Sequence, residues 1–559
     1  AGLAKGRYIL FLNNDVTLTS RGLSTLVATI EQYPRCGAVG AKLVRPDGTL
    51  QEAGSIVWRD GSASGYGRNG NPQNPEYGYL REVDYCSAAC LLIRAELLQR
   101  LGGFDELYLP AYYEDSDLCF GIRQLGFKVV FQPEVTVLHH EFGSRSFERA
   151  EALCQVNKPK FEKKWKAILQ EQHPYGEVLQ ARDRRQGKRV LVIDDQVPEP
   201  RLGIGLPRAC QMIKFLSELG YVVTFVPLVN QTQWQPTTRE LQQLGIEVFY
   251  GESFSPEELL RNRSGYYSIV IISRPHNAKK SLSLTRQHYP SALLIYDAEA
   301  LFSVREILKA EIEGRSMSET EKRRLLSEEL DLMKGADLVI TVSEAERETI
   351  LKEASHLDIE VWGHTHDLHV PATPFSKRKD ILFVGSFTHG HPPNTDAVLH
   401  FATELFPKIR EKLPDCRFIV VGSSPPEPVR RLASPHIIVT GYVEELREYY
   451  EKCRIFVVPL RFGAGLNYKL TEAMSYGIPS VISPLAAQGL AAQNEKQVLI
   501  ARNDKEFIEK TVQLYTDDAL WHEVQQGAQH YIHDNCSPQT TKKKLAEILN
   551  RQPRGLVVA

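Results

Sequence analysis

Lys188-Arg189-Val190-Leu191-Val192-Ile193-Asp194 is an aliphatic run closed by an acid and followed by a helical stretch. Such a run reads as a strand buried on both faces. It opens a series that continues at Val222–Val226, Glu247–Tyr250, Ile269–Ile272, Leu293–Tyr296 and Leu338–Val342, with helical segments between. Strands alternating with helices imply a parallel, doubly wound sheet. A link rich in His, Pro and Thr, Gly363–Arg378, leads to a second series: Ile381–Val384, Arg417–Val421, Ile437–Thr440, Ile455–Pro459, Ser480–Ile482 and Val498–Ala501. The fold class expected is α/β, and two such sheets in tandem suggest a cleft between lobes as the natural binding site.

Upstream of this series, Tyr8–Leu12 reads as a buried strand that ends in the polar turn Asn13-Asn14-Asp15. Helical (Leu23–Gln32) and strand (Gly37–Leu43) segments follow, then a Pro46-Asp47-Gly48 turn and a Gly/Asn/Pro-rich loop from Gly61 to Tyr77. From Phe147 to about Gln186 the sequence is charged and helical, a connector. The organisation expected is a first domain over 1–146, a connector over 147–187, and two lobes over 188–370 and 371–559.

The 559 residues exceed what one core can hold, so two to four domains are expected. A formal net charge of -2 and a pI near 6.8 provide no global field for nucleic acid. Nine scattered cysteines without paired spacing read as reduced thiols of a cytosolic protein. No apolar stretch is long enough to span a bilayer. The chain starts at Ala1 with almost nothing ahead of the first strand, which leads us to expect a missing upstream segment.

Asp15 ends its strand where open α/β sheets bind ligands, and a hard cation held by one or two carboxylates plus substrate phosphates is the usual Mg²⁺ arrangement. Farther on, Glu114, Asp115 and Asp117 open a short helix, where carboxylates suit the positive dipole end. One reading is helix capping. The other is a general base aimed at a sugar hydroxyl. With Gly6-Arg7-Tyr8, Leu12–Asp15, Pro46-Asp47-Gly48, Gly102-Gly103-Phe104-Asp105-Glu106, Glu114–Leu118, Arg123-x-x-Gly126 and Val137–Ser144, this region resembles the C-terminal half of a glycosyltransferase family two domain. The resemblance implies a GT-A fold and inversion at the anomeric carbon. It places Asp15 and Asn13 at a Mg²⁺ or Mn²⁺ ion and the diphosphate, Asp115 as base with Glu114 as understudy, and His139 or His140 near the metal. That family holds its nucleotide with a βαβ unit ahead of the metal motif, absent from this sequence, so this region alone is not expected to turn over a nucleotide sugar.

The segment from Pro459 to Pro479 reads as strand, glycine-rich loop (Gly463, Gly465) and helix. Glycines let backbone approach a phosphate, and a helix N-terminus supplies N–H donors. Lys469 and Arg461 add positive charge, and Glu472 can accept hydrogen bonds from ribose hydroxyls. With Val190–Asp194 entering the loop of Gly203 and Gly205, Tyr296–Glu299, Val342-Ser343-Glu344, Phe383–Ser386, Val420-Val421-Gly422 and Gly441-Tyr442-Val443, residues 188 to 537 resemble glycosyltransferase family four. The resemblance implies a GT-B pair of Rossmann-like domains and a metal-independent, retaining reaction. Gly203 and Gly205 fall on the acceptor side, and Gly463, Gly465, Lys469, Glu472 and Arg461 at the donor. Three departures stand out: Ala464 replaces the first glutamate of the family's Glu-x7-Glu motif, Ser386-Phe387-Thr388 replaces the basic residue that often follows the Val-Gly of the C-terminal lobe, and Phe302 stands where many relatives have His. His276, at a strand end, is the substitute for the catalytic-side histidine. His364, His366 and His369 could suggest zinc, but in a link without cysteines they are expected at the surface.

The function expected is transfer of a sugar from a nucleotide-diphosphate sugar to a glycan or lipid-linked acceptor in bacterial surface polysaccharide biosynthesis, with the downstream module carrying the activity. Its setting would be cytoplasmic, with peripheral contact on the inner face of the plasma membrane where acceptors are lipid-linked. The competing reading is a non-catalytic glycan or nucleotide-sugar binding scaffold. A nucleotide-sugar oxidoreductase or epimerase needs a later glycine than Gly203-Ile204-Gly205 supplies.

Overall fold

A computed structural model describes residues 4–140, 147–202, 205–251, 254–312, 314–387, 392–462, 468–490 and 494–552. The chain divides into two compact units, one of Ala1–Val197 with Leu216–Ser268, the other of Pro198–Phe215 with Ile269–Ala559.

The first unit holds a mixed sheet in the order Tyr8–Leu12, Cys90–Arg94, Cys36–Val44, Lys128–His139, Val16–Leu18. Adjacent residues of its inner strands go to opposite faces, as the period of two demands. Ala38, Leu91 and Val129 pack on one side with Leu118 and Ile122 of the helix Glu114–Gln124. Val39, Leu92 and Val130 pack on the other with Leu26 and Ile30 of the helix Gly22–Gln32, which are one helical turn apart. Each such buried aliphatic side chain contributes roughly 1.5–3 kcal/mol.

Tyr8–Leu12 departs from the reading of a buried strand. It lies at the end of the sheet order, antiparallel to Cys90–Arg94, and is half-buried, with Leu12 45% exposed. An edge strand has one neighbour, so an apolar run alone does not distinguish it from a central one.

The charged helix Phe147–Leu169, read as a connector, packs into this unit. Phe161, Trp165 and Leu169 form a cluster with Tyr108, Tyr113 and Phe120. After it, Arg182 joins Arg263 on one buried carboxylate, Glu247, with Nη to Oε distances of 2.6 to 3.0 Å. The two guanidiniums, acting against burial, hold Glu247 well below the usual carboxylate range. Arg189–Gln196, Val222–Asn230 and Glu247–Val248 run parallel beside one another.

In the second unit Ile269–Ser273, Leu293–Asp297, Leu338–Thr341 and Ile359–Val361 are successive parallel neighbours. A further six-stranded parallel sheet has the order Ile437–Gly441, Phe418–Val421, Lys379–Val384, Cys453–Val458, Ser480–Ile482, Leu499–Ile500. Its order reverses beside the first strand, the 3-2-1-4-5-6 pattern that puts a ligand crevice at the carboxyl ends of the strands. The α/β class with parallel sheets is therefore the architecture observed. Among the described residues no helix is long and apolar enough to cross a membrane.

Candidate functional site

The antiparallel register of Val16 with His139 sets the turn Asn13-Asn14-Asp15 beside the end of the strand Lys128–His139. His139 Nε2 lies 3.4 Å from Asp15 Oδ1, and its Nδ1 is 2.8 Å from Gln51 Oε1. Gln51 can only accept through that oxygen, so Nδ1 donates to it. Asp15 Oδ1 is buried and, among the described residues, receives no hydrogen bond. A buried carboxylate beside an imidazole fits a Mg²⁺ or Mn²⁺ ion whose remaining ligands would be water and phosphate. Among the described residues no three acidic, His or Cys groups converge as a closed metal cage. His140 is exposed and meets Asp15 through backbone alone, its N–H donating to the Asp15 carbonyl at 3.1 Å. Of the two histidines, His139 is the one that faces the acid.

Asp115 sits at the start of the helix Glu114–Gln124, next to Glu114. The chain enters this helix through Tyr112 and Tyr113, both at positive φ (73° and 76°), a backbone region that costs a non-glycine residue on the order of 1–3 kcal/mol. Asn157, from the helix Phe147–Leu169, holds that entry by donating to the carbonyls of Tyr108, Ala111 and Tyr112 at 2.8, 2.9 and 3.0 Å. Asp117, grouped with the other two acids by sequence, is turned away from them: it accepts from Tyr108 Oη, Trp165 Nε1 and Lys164 Nζ and anchors the same helix. Its role is structural.

One turn draws these parts together. Ser87–Cys90 closes through the Cys90 N–H on the Ser87 carbonyl at 3.3 Å. The Ala88 N–H donates to Asp115 Oδ2 at 3.3 Å, and the Ala89 carbonyl accepts from the Asn13 N–H at 3.0 Å. Asp115 and the Asn13–Asp15 turn thus hang on consecutive residues. Burial lifts the Asp115 carboxyl above its ordinary value, against the N–H donors of Ala88 and Ser116.

In the second unit, the helix Tyr468–Ser475 turns Leu470, Ala473 and Met474 into the core and leaves Tyr468, Glu472 and Tyr476 in a row at helical spacing. Glu472 Oε2 accepts from Lys469 Nζ at 2.9 Å and from Tyr450 Oη at 2.8 Å. Tyr468, Glu472 and Tyr476 line a polar cavity of about 230 Å³ together with His366, His369 and Lys214. Gly463, Gly465 and Ala464 lie outside the described residues, as does Gly203. Arg461 is 56% exposed and paired with Asp396.

Gly205, at φ +78°, is required by contact: a Cβ there would sit 1.4 Å from Glu299 Oε1. Glu299 itself, at φ 55°, is paired with Arg274, at φ 75°, at 2.8 Å. Next to them, Arg208 forks onto Asp297 at 2.7 and 2.8 Å and holds the Trp362 carbonyl. His276 is exposed at the second residue of the helix Pro275–His288, its ring 6.3 Å from that of Phe302. The expected substitute and the residue it would replace are therefore neighbours.

His364 and His366 correct the surface reading. Both are buried, and His366 Nε2 lies 2.8 Å from Thr471 Oγ1; burial drives its pKa well below the usual imidazole value. His369 stacks on Tyr476 at 3.9 Å. The link read as an exposed tether runs along the helix that carries Glu472. Sequence also missed Gln51, Arg208 and Tyr450; only the Gln51-Glu52 step after a Pro-Asp-Gly turn offered a signal.

Residues 378–517 match the family model described as "Glycosyl transferases group 1". The chain carries a glycosyltransferase domain. Over its N-terminal part, relatives of the family two kind appear. An O-antigen biosynthesis protein, RfbC, of Myxococcus xanthus is 34% identical over 160 residues, 28% of this chain and 12% of that protein. The N-acetylglucosaminyl-diphospho-decaprenol L-rhamnosyltransferase of Mycobacterium tuberculosis is 30% identical over 164 residues, 27% of this chain and 52% of that enzyme. An uncharacterized protein of Sinorhizobium fredii is 32% identical over 151 residues, 26% of this chain and 16% of that protein. The match thus spans at most about half the length of these relatives. Among solved structures, a glycosyltransferase of Rickettsia africae is similar with a TM-score of 0.49 and 16% identity, covering 65% of this chain and 98% of that one. A sucrose-phosphate synthase of Thermosynechococcus elongatus is similar at the same TM-score of 0.49, with 14% identity over 65% of this chain and 98% of that one.

Proposed function

We propose that this protein transfers a sugar from a nucleoside-diphosphate sugar to a hydroxyl of a glycan or lipid-linked acceptor in bacterial surface polysaccharide assembly, working on the cytoplasmic side with peripheral contact at the membrane. The observation that carries the reading is the Ser87–Cys90 turn, which ties Asp115 and the Asn13–Asp15 turn to neighbouring residues. In an inverting transfer Asp115 takes the acceptor hydroxyl proton as that oxygen attacks the anomeric carbon, while the bond from that carbon to the diphosphate breaks and the nucleoside diphosphate leaves. Asp15 and His139 would hold Mg²⁺ or Mn²⁺, and a divalent ion there supplies charge neutralisation for the leaving diphosphate. Asn157 and the Ala88 amide keep the base aimed.

A second, retaining donor site is supported by Lys469, Glu472 and Tyr450. Lys469 would meet the diphosphate and Glu472 the ribose hydroxyls, without a metal.

The test is turnover of a panel of nucleotide sugars with Mg²⁺ or Mn²⁺, comparing wild type with Asp115→Asn and with Lys469→Ala. Loss in Asp115→Asn of about 10²–10⁴-fold supports the first site. Binding without turnover over the whole panel favours the scaffold reading, and unchanged rates in both variants overturn the assignment.

A further inference from the structure

Beside Asp115 lies a second carboxyl that the proposed reaction does not use. Glu52 ends the strand Leu50–Glu52 and is 6% exposed. Its Oε1 accepts from the Ser87 N–H at 3.0 Å and its Oε2 from the Ser55 hydroxyl at 2.9 Å. Ala88, the next residue, gives its N–H to Asp115. Two successive amides of one turn therefore grip two different carboxyls, one from a strand and one from a helix.

The charged and titratable groups around Glu52 are Asp115, Tyr85, Cys86, Cys119 and Arg68, with Arg81 acting on Cys86 and Arg123 on Cys119. Burial pushes the Tyr85 hydroxyl and the Cys86 thiol far up and Cys119 to about 12, so these three are neutral. Arg68 is the cation that acts on Glu52 itself, and it is exposed. For Glu52 the Arg68 charge is the least of these influences, and like carboxylates in one low-dielectric site resist ionising together.

We propose that Glu52 is a positioning residue that holds the pair's proton, pinned between the Ser87 amide and the Ser55 hydroxyl, so that the first negative charge of the pair rests on Asp115. This rests on the reading of Asp115 as base. The proton on Glu52 Oε2 is donated to Ser55 Oγ, reversing that bond without moving either heavy atom. Burial, first, and the Asp115 charge raise Glu52 to about 7, against the pull of the amide and hydroxyl. The folded pKa is thus above the ordinary value of 4.5: stability from this proton is complete below 4.5 and is lost as pH rises through about 7.

The experiment is the thermal midpoint of the full chain against pH, for wild type, Glu52→Gln and Asp115→Asn, with and without Glu52→Gln. The glutamine keeps the shape and the neutral charge. Its midpoint minus that of wild type should widen by a few degrees between pH 5 and pH 8. In the Asp115→Asn background the widening should shrink and move to lower pH. A difference flat with pH means that Glu52 ionises normally, and a widening identical in both backgrounds means that the two carboxyls are not coupled; either overturns the proposal. Donor turnover gives the second readout, since Glu52→Ala should lower kcat with KM little changed and Glu52→Gln should restore it. If Asp115→Asn retains turnover, the base reading fails and takes the role of Glu52 with it, whatever the thermal curves show.

Discussion

His139 Nε2 faces Asp15 Oδ1 at 3.4 Å because Gln51 holds the other ring nitrogen at 2.8 Å. The relationship depends on a side chain that touches neither the acid nor any phosphate. Gln51→Ala frees the ring to turn, and the expected result is a 10–100-fold weaker affinity for Mn²⁺ in the presence of a nucleoside diphosphate, read by calorimetry. Asp15→Asn should lose more, because it removes the charge itself.

Asn157 shares its two N–H donors among three carbonyls of the strained entry to the Asp115 helix. Asn157→Leu fills the space and satisfies none of them. Urea denaturation should show a loss of about 2–3 kcal/mol, with far-UV dichroism of the native state unchanged. Donor turnover at the first site should fall with it.

Glu247, depressed by Arg182 and Arg263, contributes stability that is present above its ordinary value of 4.5 and is lost as pH falls from there toward its folded value. Glu247→Gln leaves two guanidiniums against a neutral amide and should cost about 3–5 kcal/mol at pH 7. Its denaturation midpoint should fall less between pH 5 and pH 3 than that of wild type, the remainder coming from carboxylates such as Asp183 that are also held low.

Lys469 and Tyr450 both donate to Glu472, so the carboxylate is aimed before any donor arrives. Tyr450→Phe should weaken nucleoside-diphosphate binding about threefold to tenfold, the net worth of a typical hydrogen bond. Glu472→Gln should weaken it further, with the loss confined to ligands that carry ribose hydroxyls. Equilibrium dialysis with a nucleoside diphosphate and with inorganic pyrophosphate separates the two.

Strands were the legible part of this sequence. Val190–Asp194, Leu293–Tyr296 and Ser480–Ile482 fall within or beside the strands Arg189–Gln196, Leu293–Asp297 and Ser480–Ile482, because a strand buried on both faces must be apolar throughout. The short strands Val16–Leu18 and Leu50–Glu52 went unread, although they carry the neighbours of Asp15 and Asp115, since three residues hold no period. Asp15, Asp115 and Glu472 were visible as acids next to turn or helix starts. Gln51, Asn157 and Tyr450 were not, because their meaning lies in partners 22 to 88 positions away. The burial of His364 and His366 was hidden for a related reason: a stretch without periodicity packs as well as one with it when a helix lies alongside.

The charged helix Phe147–Leu169 has a consequence for how the protein can be taken apart. A cut after residue 146 would expose Phe120, strip Asp117 of Trp165 and Lys164, and leave the entry to the Asp115 helix without its clamp. A cut after residue 187 would still part Arg182 from Glu247 and Gln132 from Gln243. Recombining this N-terminal module with another transferase would therefore need a seam beyond Arg263, well inside the sequence that resembles the second family. The unit of inheritance read in the sequence is shorter than the unit that can hold its own shape.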